Sequence, residues 1–416
     1  MYHFHPVRQG LFASGCLYKE NEPHPRFLWV YDCGTVSSFV SLDEQFDYLH
    51  RFARGRSEID LLTISHFDKD HISGVVRLLG KFSVKTLMLP YVPLWKRLVI
   101  AFSDGTPAAG PPIDFYLDPV SYFREQGEIE RIVVVLPGEG GDEAGDPLPI
   151  LNGPKSDDWK LLFKGTRFKP FDGSGEEDDP LLGGDGVLPV RSGESMSVEG
   201  LWEFVPYNAP DEMASALFEA KVRDRRSALL CSPSSETRTK ALETLRTLYD
   251  RRFGSRGKRR NVVSMFLYCG PIYDSWEETK LISGTKVQWS DYPHRYPLFH
   301  RIHPTAPGIF PGKCSLLYSG DGYLSKAGEL DDLSRIVGRK RLEKLGAFQV
   351  NHHGSKYNWH PGVTKALSPK FSVFCSQPDR APNHPNAEVL RDFWTFRPVQ
   401  VDQVGFSLYG WMLNTE

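Results

Sequence analysis

Hydrophobic positions in this chain fall into short runs separated by polar punctuation, and the runs alternate between two periods. Phe27-Leu28-Trp29-Val30-Tyr31 is aromatic and β-branched and stops at Asp32-Cys33-Gly34, which predicts a strand. Leu42, Phe46, Leu49 and Phe52 recur at helical spacing. Residues 59–64 are almost continuously apolar, the mark of a strand covered on both faces, and residues 84–90 predict another strand. Strands alternating with helices predict an α/β layered fold. Strand signals resume after residue 260, at 261–268, 314–319, 347–351 and 371–375. Each of these runs ends in a polar cluster at its carboxyl end, the edge from which layered α/β folds present functional groups.

Between about 91 and 260 the pattern loosens. A chain of 416 residues exceeds one usual compact core. The division this suggests is a layered domain made of 1–100 and 260–416, carrying 101–259 as an insertion. Residues 137–200 hold 14 Asp/Glu against 6 Lys/Arg with many Gly and Pro, so they read as loop or lid. Residues 221–260 reverse the balance, with 13 Lys/Arg against 4 Asp/Glu. Their apolar positions from 235 to 253 have helical spacing, with Ser234 or Ser235 as the cap. That basic stretch reads either as a solvated helix end or as a surface that tracks phosphates.

The net charge of −2 gives no whole-chain pull toward nucleic acid or membrane. No apolar run approaches the roughly 18 residues that span a bilayer. The N-terminus lacks a basic region followed by an apolar one, so no secretory signal is expected. Cys16, Cys33, Cys231, Cys269, Cys314 and Cys375 are scattered without metal-ligand spacing, as core thiols in a reducing cytosol would be. A cytoplasmic protein is the expectation.

The candidate chemistry starts at His66-Phe67-Asp68-Lys69-Asp70-His71, between a predicted strand and a predicted helix. Four oxygen or nitrogen ligands within one turn can aim at a single point, as a divalent metal requires. Further polar groups follow later strand signals: Asn261 with Ser264, Gly320-Asp321-Gly322, His352-His353-Gly354-Ser355 and Asn383-His384-Pro385. Asp32 ends an earlier strand. Asn261 and Ser264 suit hydrogen bonds to a substrate oxyanion or simple strand capping. Lys356 and Lys69 are candidate phosphate contacts or merely solvated lysines. His294, His300 and His303 read as surface histidines.

In their order these groups resemble the metallo-β-lactamase superfamily. They are most similar to the hydrolase domain of ComEC-type DNA-uptake proteins and its stand-alone relatives. The resemblance runs through Val7-Arg8-Gln9-Gly10, Asp32-Cys33-Gly34, the run from Ser65 to Gly74, Asn261 to Ser264, Ser319-Gly320-Asp321, His352 to Ser355, and His384-Pro385 with Glu388-Val389-Leu390. It implies a four-layered αβ/βα sandwich with one or two divalent ions between the sheets. His66 and Asp68 would hold one ion. Asp70, His71 and one of His352 and His353 would hold the other, with Asp321 bridging. Asp32 would support a ligand from behind. The common family pattern has His where Asp68 stands, and many members have a ligand histidine near 261–267 that is absent here. Both departures are shared with the ComEC-type branch. The oxygen-rich set favours Mn²⁺ or Mg²⁺, with Zn²⁺ also compatible.

The resemblance implies a phosphodiesterase, foremost a nuclease acting on DNA or RNA. Asp70 would handle a water proton, and His384 would contact a phosphate or leaving group. Ser355 and Lys356 would lie on the substrate side. The 101–259 segment would serve a protein partner or self-association. Two other readings share the residues: a hydrolase of a small phosphoester or lactone, and a catalytically silent binding subunit.

Overall fold

The structure is a computed structural model of the whole chain. It describes residues 1–19, 22–38, 40–103, 113–138, 159–163, 179–183, 186–210, 220–222, 224–225, 235–253, 264–272, 278–283 and 309–413. The strands in chain order are β1 (Tyr2–Phe4), β2 (Phe12–Leu17), β3 (Phe27–Cys33), β4 (Glu58–Thr63), β5 (Ser83–Pro90) and β6 (Ile129–Leu136). Then come β7 (Leu161–Leu162), β8 (Val187–Arg191), β9 (Met196–Val198), β10 (Trp202–Asn208), β11 (Met265–Pro271) and β12 (Glu278–Ser283). The last are β13 (Ile309–Pro311), β14 (Ser315–Tyr318), β15 (Leu345–Gln349), β16 (Phe371–Cys375), β17 (Pro398–Val401) and β18 (Phe406–Leu413).

They form two mixed sheets. One has ten strands in the order β13-β12-β18-β1-β2-β3-β4-β5-β6-β8, the other eight in the order β17-β16-β15-β14-β11-β10-β9-β7. In the first, β3 through β6 and then β8 run parallel. In the second, β14 through β17 run parallel. The α/β class expected from the alternating pattern is therefore present.

Strand alternation decides where the core sits. Phe27, Trp29 and Tyr31 of β3 face the same apolar slab as Met265, Leu267 and Cys269 of β11, so this slab lies between the sheets. Leu28 and Val30 point the other way, onto Leu42, Phe46, Leu49 and Phe52 of the helix Val40–Phe52. Phe266 and Tyr268 likewise turn outward, with Leu330, Leu333 and Ile336 of the helix Ala327–Val337. Each sheet is thus apolar on both faces, and helices cover the outer face of each. The five cysteines among the described residues are free and buried. No helix among those residues is long and apolar enough to cross a membrane.

Within residues 101–259, β6 and β8 extend the ten-stranded sheet, and β7, β9 and β10 extend the other. Ile132, Val133, Val134 and Val135 are fully buried, and Phe204 and Val205 equally so. These strands sit between charged stretches, so composition averaged over the segment hides them.

Trp29 is fully buried in the central slab, where its indole N–H donates to Tyr318 Oη at 3.3 Å. Trp29→Ala should lower the unfolding free energy by about 3–5 kcal/mol in urea melts. Lys81→Ala, which removes an exposed ion pair to Asp47, should change it by less than about 1 kcal/mol. A second prediction concerns His3 and His5, buried with rings 4.5 Å apart. Burial pushes the His3 imidazole from 6.5 down to about 3, and burial together with His3 holds His5 well below its ordinary value. Below 6.5 the unfolded chain takes up protons that the folded chain refuses at these sites. Their contribution to stability should therefore decline as pH falls from 6.5 toward 3, and His3→Gln should lessen the decline in melts across that window.

Candidate metal centre

The centre begins where β3 and β4 end. Asp32, at φ 53°, is fully buried and turns its carboxylate toward the loop after β4. Oδ1 accepts from the Ser65 backbone N–H at 2.6 Å, and Oδ2 accepts from the Ser65 hydroxyl at 2.6 Å and from His71 Nδ1 at 2.7 Å. A carboxylate only accepts, so His71 carries a proton on Nδ1 and turns Nε2 into the centre. The Ser65 hydroxyl donates its hydrogen bond to Asp32, so its oxygen accepts from His66 Nδ1 at 2.9 Å. His66 Nε2 is thereby aimed inward as well. Ser264 Oγ stands 3.2 Å from the same Nδ1. Gly34 lets this turn pack closely: a Cβ there would lie 2.5 Å from the His71 backbone N.

Asp68 occupies the N-cap position of the helix Lys69–Ile72, yet its side chain makes no capping hydrogen bond. It points instead to His66, with Oδ2 3.6 Å from Nε2. Asp70 and His71 lie in that helix, and His71 is buried.

The other sheet contributes from the ends of β14 and β15. Gln349 Oε1 accepts from the Ser319 and Gly320 backbone N–H groups at 2.9 and 2.7 Å. Asn358 Nδ2 donates to Asp321 O at 2.8 Å, and Ser264 Oγ accepts from Asp321 N at 3.1 Å. These bonds fix the Asp321 turn. Gly320 adopts φ +50°, and a Cβ there would meet Ser264 Oγ at 2.2 Å and Ser65 Oγ at 2.7 Å. The missing side chain is what allows the loops of the two sheets to touch.

Both His352 and His353 adopt left-handed backbone, with φ 43° and 55°. Such conformations cost of order 1–3 kcal/mol each and persist only where surrounding bonds over-determine them. His353 is buried; its Nδ1 donates to Cys375 O, and its Nε2 lies 2.9 Å from Asp70 Oδ2. His352 is partly exposed, with Nδ1 3.0 Å from Asn358 Oδ1 and Nε2 3.5 Å from Asp321 Oδ2.

Two groups result whose ligand atoms lie within 4.8 Å of one another: Asp70, His71, Asp321 and His353, and then His66, Asp68 and Asp321. Asp321 belongs to both. Of the two adjacent histidines, His353 is the one that joins a group. The atoms fit a cation. His66 Nε2, His71 Nε2 and Asp321 Oδ1 are buried and have no hydrogen-bond partner among the described residues. His71 Nε2 and Asp321 Oδ1 nevertheless face each other at 3.1 Å.

The electrostatics are those of a site that wants positive charge. Burial opposes the His71 cation, but Asp321, Asp32 and Asp70 outweigh it and hold the imidazole well above its ordinary value. Burial also opposes the Asp321 carboxylate, and His352, His71 and His353 hold it well below the usual range. Protons on these imidazoles and a divalent cation are alternative ways to satisfy the same carboxylates.

Of the remaining residues singled out in the sequence, Ser264 joins the support of His66 and Asp321. Asp32 lies behind His71, as described above. Ser355 is buried and accepts from Tyr357 N rather than facing the ligand atoms. Lys356 is exposed, with Nζ 5.4 Å from the Tyr357 ring centroid. His384 sits at the rim, its ring 5.5 Å from that of His352 and 6.1 Å from that of His353. Burial, then His353 and His352, push its pKa down to about 4. Asn261, His294, His300, His303, residues 256–260 and most of 137–178 lie outside the described residues. Three supporting residues escaped the sequence reading: Ser65, Gln349 and Asn358. The available signal for Ser65 and Gln349 was a polar residue within or directly after an apolar strand run.

Metal binding should be directly measurable. Mn²⁺ at about 100 times its dissociation constant should add about 2.7 kcal/mol of stability, visible as a raised melting temperature. Asp321→Ala should remove that response. Ser65→Ala, which leaves every ligand in place but releases His66, should weaken Mn²⁺ binding about 10–100-fold by calorimetry. Unchanged affinity would deny Ser65 an orienting role.

No family model matches the chain, and no curated protein matches it.

Proposed function

We propose that the chain is a metal-dependent hydrolase of the metallo-β-lactamase fold, closest to the ComEC-type branch, and that it cleaves phosphodiester bonds in nucleic acid. The observation that carries this reading is convergence. His66, Asp68, Asp70 and His71 after β4, Asp321 after β14 and His353 after β15 turn ligand atoms to one place between two sheets. Three of those atoms are buried without hydrogen-bond partners among the described residues. The helix-covered pair of sheets around them agrees with the four-layered sandwich that the motif order implies.

Asp70, His71, Asp321 and His353 would hold one divalent ion, and His66, Asp68 and Asp321 the other. Bound there, such ions supply Lewis acidity to a phosphoryl oxygen and make water more acidic. The protein's own residues supply the rest. Asp321, shared by both groups, sets their spacing. Asp32 and Ser65 orient His71 and His66 so that the imidazole faces needed at the centre are fixed before substrate arrives. Asp70 is only partly covered and can accept a proton from a water attacking phosphorus. His384 at the rim has a buried Nδ1 without a partner among the described residues, and in this reading it would hydrogen-bond a phosphate oxygen or leaving group. Six contributors, the carboxylates of Asp68, Asp70 and Asp321 and the imidazoles of His66, His71 and His353, make a mixed oxygen and nitrogen shell, which suits Mn²⁺ and also accepts Zn²⁺.

The test is a nuclease assay with added Mn²⁺, run beside metal analysis. Wild type should cut DNA or RNA oligomers. Asp70→Ala should lose at least about 10²-fold in rate, roughly 2.7 kcal/mol of barrier. A wild-type protein that retains no metal and turns over no phosphodiester would leave the binding-subunit reading in its place.

A further inference from the structure

Tyr357 is 66% exposed, more than any other large hydrophobic side chain among the described residues. Its place is the short turn Lys356–Asn358, which follows the His352-His353 corner. That turn is fixed on both sides. Ser355 N donates to His352 O at 2.8 Å, and Tyr357 N donates to Ser355 Oγ at 3.3 Å. Asn358, fully buried, bonds His352 Nδ1 at 3.0 Å and Asp321 O at 2.8 Å. The exposed ring is therefore attached, one residue away, to the group that holds His352 and the Asp321 turn of the candidate centre. Lys356 sets its ammonium 5.4 Å from the ring centroid.

An aromatic ring presented to water on a hydrogen-bonded turn has lost the burial that usually accounts for it. A ring with a cation beside it, at the edge of a site that handles phosphates, matches what a nucleotide presents: a planar base and an adjacent negative charge. We infer that Tyr357 is a specificity-determining residue that stacks on a nucleobase next to the cleaved phosphodiester, with Lys356 meeting the neighbouring phosphate. The inference deepens the hydrolase reading and rests on it for the position of the phosphodiester. It adds that the substrate is recognised through an unpaired base, hence as single-stranded nucleic acid, because a base inside a duplex has no free face to offer.

The test measures binding apart from cutting. Phosphorothioate octathymidylate and a base-free oligomer of the same length and charge are titrated against the full chain by fluorescence anisotropy. Wild type should bind the thymine oligomer at least about 5-fold more tightly than the base-free one. Tyr357→Phe should keep that ratio and Tyr357→Ala should bring it near one. The ratio is taken within each protein, so a loss of folded fraction does not imitate the effect. Equal binding of the two oligomers by wild type, no binding of either, or a ratio unchanged in Tyr357→Ala overturns the inference. Cutting by wild type without a base preference would sink the stacking role alone. A base preference without any Mn²⁺-dependent cutting would support stacking and sink the hydrolase reading instead.

Discussion

Asp32 is the interaction on which the centre depends. Its carboxylate is fully buried, and its charge is met by the Ser65 backbone N–H, the Ser65 hydroxyl and His71 Nδ1. A buried carboxylate is tolerable only when its lone pairs are occupied. The same bonds that satisfy Asp32 decide the orientation of two imidazoles, one directly and one through Ser65. Charge burial at the end of β3 and ligand orientation after β4 are thus one arrangement. Loss of either partner would leave a charge without its bonds and two rings without a fixed direction.

The second constraint is closeness. The loops of two separate sheets must approach until Ser65, Ser264 and Gly320 are in contact, and only a residue without a Cβ fits at that point. Behind them the central slab holds the sheets at a set spacing. Tyr31 stacks on Tyr318 with ring centroids 4.4 Å apart, one ring from each sheet, and the Tyr31 hydroxyl donates to Met265 O at 2.7 Å. Close-packed aromatic rings resist compression, so the spacing of the ligand corners follows from that of the core beneath them. Strain in the His352-His353 backbone is held against this rigid base by the Gly320 carbonyl, Asn358 and the Cys375 carbonyl.

Much of the layered core could be read from the chain. The runs at 27–31, 59–64, 84–90 and 371–375 correspond to β3, β4, β5 and β16 with shifts of a residue or two at most ends. They were legible because strands covered on both faces need continuous apolar residues. The strands β6, β9 and β10 were not separated from the charged segment around them. Local composition reports the solvent exposure of the loops more strongly than the burial of a strand between them. Residues of the candidate centre were legible where several ligands share one turn, as from His66 to His71. Supporting residues such as Gln349 and Asn358 were not, because an amide beside an apolar run looks the same whether it faces water or a backbone turn.

The amino-acid order by itself determined which elements form and which polar groups stand at their ends, because periodicity and turn chemistry act over a few residues. Only the tertiary structure decided that Asp321 belongs to both ligand groups, and that His353 rather than His352 turns its Nε2 toward Asp70. It also decided that residues 101–259 lend strands to both sheets. Those outcomes depend on contacts between residues up to hundreds of positions apart. They are fixed by how two sheets stack and how their loops meet, which no local pattern encodes.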